Sequence, residues 1–507
     1  MGQDPDKIGR EVLPIPDIPA KGKNALDARN AEFPPIEPLR PPAGAPNVVI
    51  VLLDDMGFGA PSVTGGPCNM PAMQRIADDG LLYNRFHTTA LCSPTRVALL
   101  TGRNHHSAGI GSVAEVATGT PGNDSVRPNT VATVAEMLRL NGYSTACVGK
   151  AHQTPTWEVS MSGPFDRWPT GEGFEKFYGF VGGETNQWSP TLFKGTYPVE
   201  PPKTAEEGYH FSEDITDKAI AWMKGLNVLT PEKPFFAYVS YGATHAPHHV
   251  SQEWIDKYKG KFDKGWDAVR EETLANMKAK GMVPQDTELT DRPEGVKPWD
   301  ELNETERTVF ARLMETYAGF AEHTDAQVGR LVEALEEVGK YEDTLFIYIA
   351  GDNGASAEGG LDGLLEGLRH GRMRVDGEPD VFEEGTHLQR QRRLADELRH
   401  PTADRDDSEQ QLGLGVGDRL DESVGRIEGH GPARRFEAEG SGDDLVTLLD
   451  RLGPAAIAAR TSAAGLVLLT ASKVISAGSR PQAVAAAAIR AASAWWACVS
   501  EWHASTG

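Results

Sequence analysis

Six consecutive apolar residues, Val48-Val49-Ile50-Val51-Leu52-Leu53, stand just after a long polar opening. The run is rich in β-branched residues and shows no alternation, the pattern of a strand covered on both faces, as in a parallel sheet. Two more runs share it: Phe235-Phe236-Ala237-Tyr238-Val239-Ser240 and Thr344-Leu345-Phe346-Ile347-Tyr348-Ile349-Ala350. Helical spacing lies between them. One stretch covers Val131 to Leu140 and is stopped by Asn141-Gly142; a longer one runs from about Glu304 to Gly339. Buried strands alternating with helices predict an α/β fold with a large, mostly parallel central sheet flanked by helices.

The flanks read differently. Residues 1–46 are polar and carry Pro14, Pro16, Pro19, Pro34, Pro35, Pro38, Pro41 and Pro42. Proline fixes φ and removes a donor, which predicts an extended arm. A second change comes near Gly360. Lys473 is the only lysine after Lys340, and the only aromatics between Tyr348 and Trp495 are Phe382 and Phe436. From Leu361 to Gly442 the chain offers charge, glycine and arginine, a composition that buries little apolar surface and leans to disorder. Asp443 to Arg460 and Pro481 to Val499 could form helices. The expected organisation is an arm (1–46), a catalytic domain (47–360) and an atypical tail (361–507) that stands apart from the sheet.

A formal charge of −23 argues against general affinity for nucleic acid or an anionic membrane surface. It leaves room for a local basic pocket. The four cysteines, Cys68, Cys92, Cys147 and Cys498, are too widely spaced for a zinc pattern or a dense disulfide framework. The polar arm has no apolar core of a signal peptide, so cytoplasmic residence is expected. No uninterrupted apolar run is long enough for a membrane span; the best C-terminal candidates are cut by Lys473, Pro481 and Arg490.

Three segments carry chemistry. Asp54-Asp55 follows the first buried strand, and ligands of α/β sheets gather at the carboxyl ends of strands. Adjacent carboxylates repel unless a cation lies between them; a helix cap or turn is the plainer reading. Asp352-Asn353-Gly354 follows another strand in the same way and offers hard oxygen ligands, or simply a turn with Gly354 at positive φ. Cys92-Ser93-Pro94-Thr95-Arg96 opens a helix that Val97, Leu99 and Leu100 continue to Gly102. Cys92 then sits at a helix N-terminus, which favours anions, with Arg96 one turn along. The plainer reading is a small buried cysteine.

Together these stretches resemble the sulfatase family. The segment Phe86-His87-Thr88-Thr89-Ala90-Leu91-Cys92-Ser93-Pro94-Thr95-Arg96, followed by Leu99-Leu100-Thr101-Gly102-Arg103, is similar to the sulfatase signature. Val148-Gly149-Lys150-Ala151-His152, Thr244-His245-Ala246-Pro247 and Gly351-Asp352-Asn353-Gly354 continue the likeness in the family's order, from Asn47 to about Gly360. It is nearest to bacterial arylsulfatases. The resemblance implies the fold of the alkaline phosphatase superfamily, with a smaller C-terminal subdomain after the large sheet. It implies oxidation of Cys92 to formylglycine (3-oxoalanine) by a separate formylglycine-generating enzyme, and attack of the aldehyde hydrate on the sulfur of a small sulfate ester. Asp54, Asp55, Asp352 and Asn353, with modified Cys92, would hold one divalent cation, Ca²⁺ ahead of Mg²⁺. Arg96 and Lys150 would fix the formylglycine and sulfate oxygens. His152 would orient the hydrate and assist sulfate release, and His245 would bind sulfate or protonate the leaving oxygen. Without that order, Lys150 and His152 read as a solvated pair after a strand and His245 as part of an ordinary loop. His87, His105 and His106 read as structural.

The likeness stops near Gly360. The family supplies one more sulfate-binding lysine and then its C-terminal subdomain, whereas no lysine lies between Asp352 and Lys473 here. A frameshift near Gly360 to Arg369, or replacement by unrelated sequence, would account for this. Two rival functions follow: a phosphonate monoester or phosphodiester hydrolase of the same superfamily, and an inactive truncated relative.

Overall fold

A computed structural model describes residues 22–355, apart from residues 24, 37 and 294, together with the strand Leu466–Thr470. All of these lie in one unit of the chain, residues 1–373 and 462–507. The expected helices at Asp443–Arg460 and Pro481–Val499, the possible disorder of 361–442, the first prolines of the arm and Cys498 fall outside the described residues.

In chain order the elements are β1 (Asn47–Leu52), α1 (Pro71–Asp79), β2 (Leu81–Tyr83), α2 (Cys92–Thr101), α3 (Val134–Leu140), β3 (Ser144–Ala151), β4 (Lys176–Val181), β5 (Leu192–Lys194), β6 (Tyr197–Val199), α4 (Phe211–Leu229), β7 (Phe235–Ser240), α5 (Gln252–Asp256), α6 (Gly265–Ala279), α7 (Glu304–Glu337), β8 (Thr344–Gly351) and β9 (Leu466–Thr470). The three apolar runs became β1, β7 and β8, and the two helical patterns became α3 and α7. The ends of α7 are set locally. Asn303 and Glu306 form a reciprocal capping box at its start.

The described strands form one sheet in the order β2-β9-β8-β1-β7-β3-β4-β5-β6. Its centre, β8-β1-β7-β3-β4, is parallel throughout; the flanking pairs are antiparallel. Both faces of the centre are covered. Along β1, Val49 and Val51 pack into one cluster with Met73, Ile76, Ile215, Phe320 and Leu331. Ile50 and Leu52 turn to the other side, with Cys147, Trp168, Phe174 and Tyr238. Successive strand residues face opposite ways, so an unbroken apolar run is what a doubly covered strand requires.

The tail was expected to stand apart from the sheet. Instead, Leu466–Thr470 inserts between β8 and β2 and pairs antiparallel with both. The outer edge of β8 otherwise presents unpaired backbone donors and acceptors, and a short apolar segment with Val467 can satisfy them. No helix among the described residues is long and apolar enough to cross a membrane.

Candidate functional site

Parallel strands end at one edge. The residues that follow β1, β3, β7 and β8 are therefore brought to the same side: Asp54 and Asp55, His152, His245, Asp352 and Asn353. Lys150 lies near the end of β3 itself. Backbone contact brings two of these loops together. A Cβ on Gly57 would lie 2.6 Å from Cα of Gly354, so the turn after β1 and the turn after β8 touch main chain to main chain. Helix α2 begins at this edge with Cys92 and ends at Gly102, whose left-handed φ of 63° closes the last turn.

A single cleft is lined by Leu52, Leu53, Asp54, Asp55, Thr88, Leu91, Cys92, Thr95, Arg96, Gly351 and Asn353. Asp54 is 4% exposed. Its Oδ1 accepts from the Arg96 guanidinium at 3.1 Å, and its Oδ2 accepts from the Lys150 ammonium. Burial alone would raise its pKa, but Lys150, Arg96 and His245 outweigh burial and hold it at about 2. The Arg96 side chain reaches from α2 across the ends of three strands. Besides Asp54 it donates to Tyr238 Oη at 3.2 Å, to Ser240 Oγ and to the Lys150 carbonyl at 3.4 Å. Its Nε is buried and has no hydrogen-bond partner.

Asp55 takes the left-handed region at φ 54°, which an aspartate tolerates better than most residues. Its carbonyl accepts from Tyr317 Oη at 2.9 Å and Thr244 Oγ1 at 3.1 Å. The twist turns its carboxylate away from Lys150 toward Asn353, which donates to Oδ1, and His245, whose Nε2 lies 3.6 Å from Oδ2. Burial and the neighbouring charge of Asp54 push the Asp55 carboxyl above its ordinary pKa. His245 donates from Nδ1 to the Ala246 carbonyl at 2.6 Å, so Nε2 is the atom it presents to Asp55.

Cys92 Sγ lies 2.8 Å from His152 Nδ1. Burial pushes the thiol above its ordinary pKa, although Lys150 and Arg96 oppose the shift. His152 is itself buried, and desolvation lowers its pKa to about 4 despite Glu115 on its other nitrogen. Both Glu115 oxygens approach Nε2, at 2.9 and 2.7 Å.

Asp54, Asp55, Cys92, Arg96 and Asn353 thus share one cleft, Lys150 and His152 close on it, and His245 reaches Asp55. Asp352 is placed otherwise. Its Oδ1 accepts from Thr88 N at 3.0 Å and Thr88 Oγ1 at 2.6 Å, and its Oδ2 meets His87 Nδ1 at 3.0 Å. Among the described residues no group of three or more His, Cys, Asp or Glu stands ready to hold a metal. The donors that do face the cleft still suit a hard cation: two carboxylates, one pushed up in pKa by burial and by the other, with an amide side chain beside them. Sequence reasoning missed Glu115, on an isolated helical turn of residues 114–116. No spacing signal marks it. Nor did it foresee that His87 would hold Asp352.

A model of the sulfatase family matches residues 46–397. The chain is 30% identical over 337 residues to an uncharacterized sulfatase of Schizosaccharomyces pombe, covering 61% of this chain and 58% of that protein. It is 30% identical over 327 residues to an arylsulfatase of Klebsiella aerogenes, covering 62% and 68%. A mouse N-acetylgalactosamine-6-sulfatase is 30% identical over 260 residues, 45% of this chain and 46% of that protein. The chain therefore spans a little over half to two thirds of the first two relatives. With its central parallel sheet, its Cys92–Arg96 segment at the start of α2 and this match over residues 46–397, the chain belongs to the sulfatase family.

Proposed function

We propose that this chain is a sulfuric ester hydrolase of arylsulfatase type, acting on small sulfate esters after conversion of Cys92 to formylglycine. The observation that carries the reading is the position of Cys92. It lies at a helix start in a cleft lined by two carboxylates and a buried guanidinium, with the buried Lys150 ammonium bonded to one of those carboxylates. A transferring sulfuryl group is anionic and needs fixed positive charge around it. Lys150 and Arg96 provide that charge, rigidly held because both are already bonded to Asp54.

Formylglycine supplies a hydroxyl nucleophile in its hydrated form, where a thiol would be a soft one. Its formation requires a formylglycine-generating enzyme as partner. His152 Nδ1, 2.8 Å from Sγ, is within reach to hold or take a proton from whatever atom replaces sulfur. His245 presents Nε2 at the Asp55 side, where it can bind sulfate or, with the ring doubly protonated, give a proton to a leaving oxygen. Asp54, Asp55, Asp352 and Asn353, with modified Cys92, would hold a divalent cation, Ca²⁺ before Mg²⁺, with Asp352 exchanging its bonds to Thr88 and His87 for the cation. When bound, such a cation supplies Lewis-acid polarisation of the ester.

The test is turnover of 4-nitrophenyl sulfate against bis(4-nitrophenyl) phosphate by protein co-expressed with the generating enzyme. Preference for the sulfate, abolished by Cys92→Ala, is expected. Preference for the phosphodiester would replace this reading with the phosphodiesterase one. Equal sulfate turnover with and without aldehyde at position 92, read by mass spectrometry, would remove formylglycine from it.

A further inference from the structure

We infer that Glu115 is a positioning residue that fixes the tautomer and plane of His152, so that Nδ1 is the atom offered to position 92. The inference rests on the reading that Cys92 and His152 form the reactive pair. An ionised carboxylate only accepts hydrogen bonds. Both Glu115 oxygens stand within 3 Å of Nε2, so Nε2 must carry a proton whether the ring is neutral or charged. Nδ1 is then the only ring position whose proton can vary, and it is the one 2.8 Å from Cys92 Sγ. The group at position 92 must donate to it or accept from it.

Two further features show a built arrangement. First, the turn that carries Glu115 is tied to the helix that carries Cys92. The amide of Ala114 donates to Ser93 Oγ at 3.2 Å, and Ser93 is wholly buried. Neighbouring residues of the signature thus serve opposite sides of one imidazole: Cys92 meets Nδ1, and Ser93 bonds the backbone of the turn whose next residue, Glu115, meets Nε2. Second, the loop after β4 leaves the ring its space only because residue 183 is a glycine. A Cβ on Gly183 would lie 3.1 Å from Cε1 and 3.3 Å from Nε2 of His152. Partners that orient a functional histidine from behind typically change activity by about 10–100-fold when removed.

The test uses full-length protein with ¹⁵N-labelled histidine, before and after maturation. Ring ¹⁵N shifts assigned through His152→Gln should show Nε2–H as the neutral form, and Glu115→Ala should shift that signal toward a tautomer mixture. In matured protein, Glu115→Ala should lower kcat on 4-nitrophenyl sulfate about tenfold or more with KM within about twofold. Glu115→Gln, whose amide oxygen can still accept from Nε2–H, should recover part of the loss. An Nδ1–H tautomer in the unaltered protein, or a His152 signal unmoved by Glu115→Ala, would overturn the inference. These spectra decide it even if the sulfate is not turned over, so failure of the positioning role and failure of the sulfatase reading remain distinct.

Discussion

The ammonium of Lys150 rests on Oδ2 of Asp54, and neither side chain is more than 5% exposed. One residue comes from the strand β3 and the other from the loop after β1, with β7 between them. A buried pair stabilises little against an apolar replacement of both partners, but removing one leaves the other charge uncompensated. Lys150→Met should therefore destabilise the fold by about 3 kcal/mol, toward the low end because Arg96 still bonds Asp54. Urea unfolding of the variant at neutral pH checks this. An unchanged midpoint would mean that Asp54 is not held as a buried anion.

The acid side of the stability profile should depend on His152. Its folded pKa of about 4 lies below the 6.5 of an ordinary histidine. A histidine lowered on folding contributes stability that is full above pH 6.5 and is lost as pH falls toward 4. Between about pH 7.5 and 5, the unaltered protein should lose roughly 2 kcal/mol more than His152→Gln. Chemical unfolding of both at the two pH values gives the difference. Parallel losses would show that His152 is not buried in its neutral form.

Two glycines should respond in opposite directions. Gly149 has φ +109°, and a Cβ there would lie 1.9 Å from the Ser240 carbonyl oxygen of β7. Gly149→Ala should cost about 3 kcal/mol or more, since two central strands would have to part. Gly225, inside α4, has open space where its Cβ would be. Gly225→Ala should stabilise by roughly 0.5–1 kcal/mol through helix propensity. Thermal melts of the pair separate a steric requirement from a chance glycine.

The strand from the tail makes its own prediction. Leu468 pairs with Leu82 on one side and Tyr348 on the other. Proline in a strand flanked on both sides removes a ladder donor and is strongly disfavoured. Leu468→Pro should lower stability by about 3 kcal/mol, read as a drop in the urea midpoint. No drop would mean that β9 adds nothing to the sheet.

The chain alone determined the central architecture because doubly buried strands and amphipathic helices leave local marks. Val48 to Leu53 read as a covered strand and became β1, and the helical spacing from about Glu304 to Gly339 became α7, Glu304–Glu337. The placement of Cys92 at a helix start followed from Pro94 and Gly102, both local signals. What local pattern cannot encode is which side chain meets which across the sheet edge. Asp54 and Asp55 are neighbours in sequence, yet the left-handed turn at Asp55 sends one to Lys150 and Arg96 and the other to Asn353 and His245. Asp352 looked equivalent to them but is taken up by Thr88 and His87, because the chain ahead of α2 folds over it. Glu115 was invisible for the same reason: its role exists only once Ser93 ties its turn beside His152. The place of Leu466–Thr470 was likewise decided by an unpaired strand edge more than a hundred residues earlier in the chain, a demand no window of sequence contains.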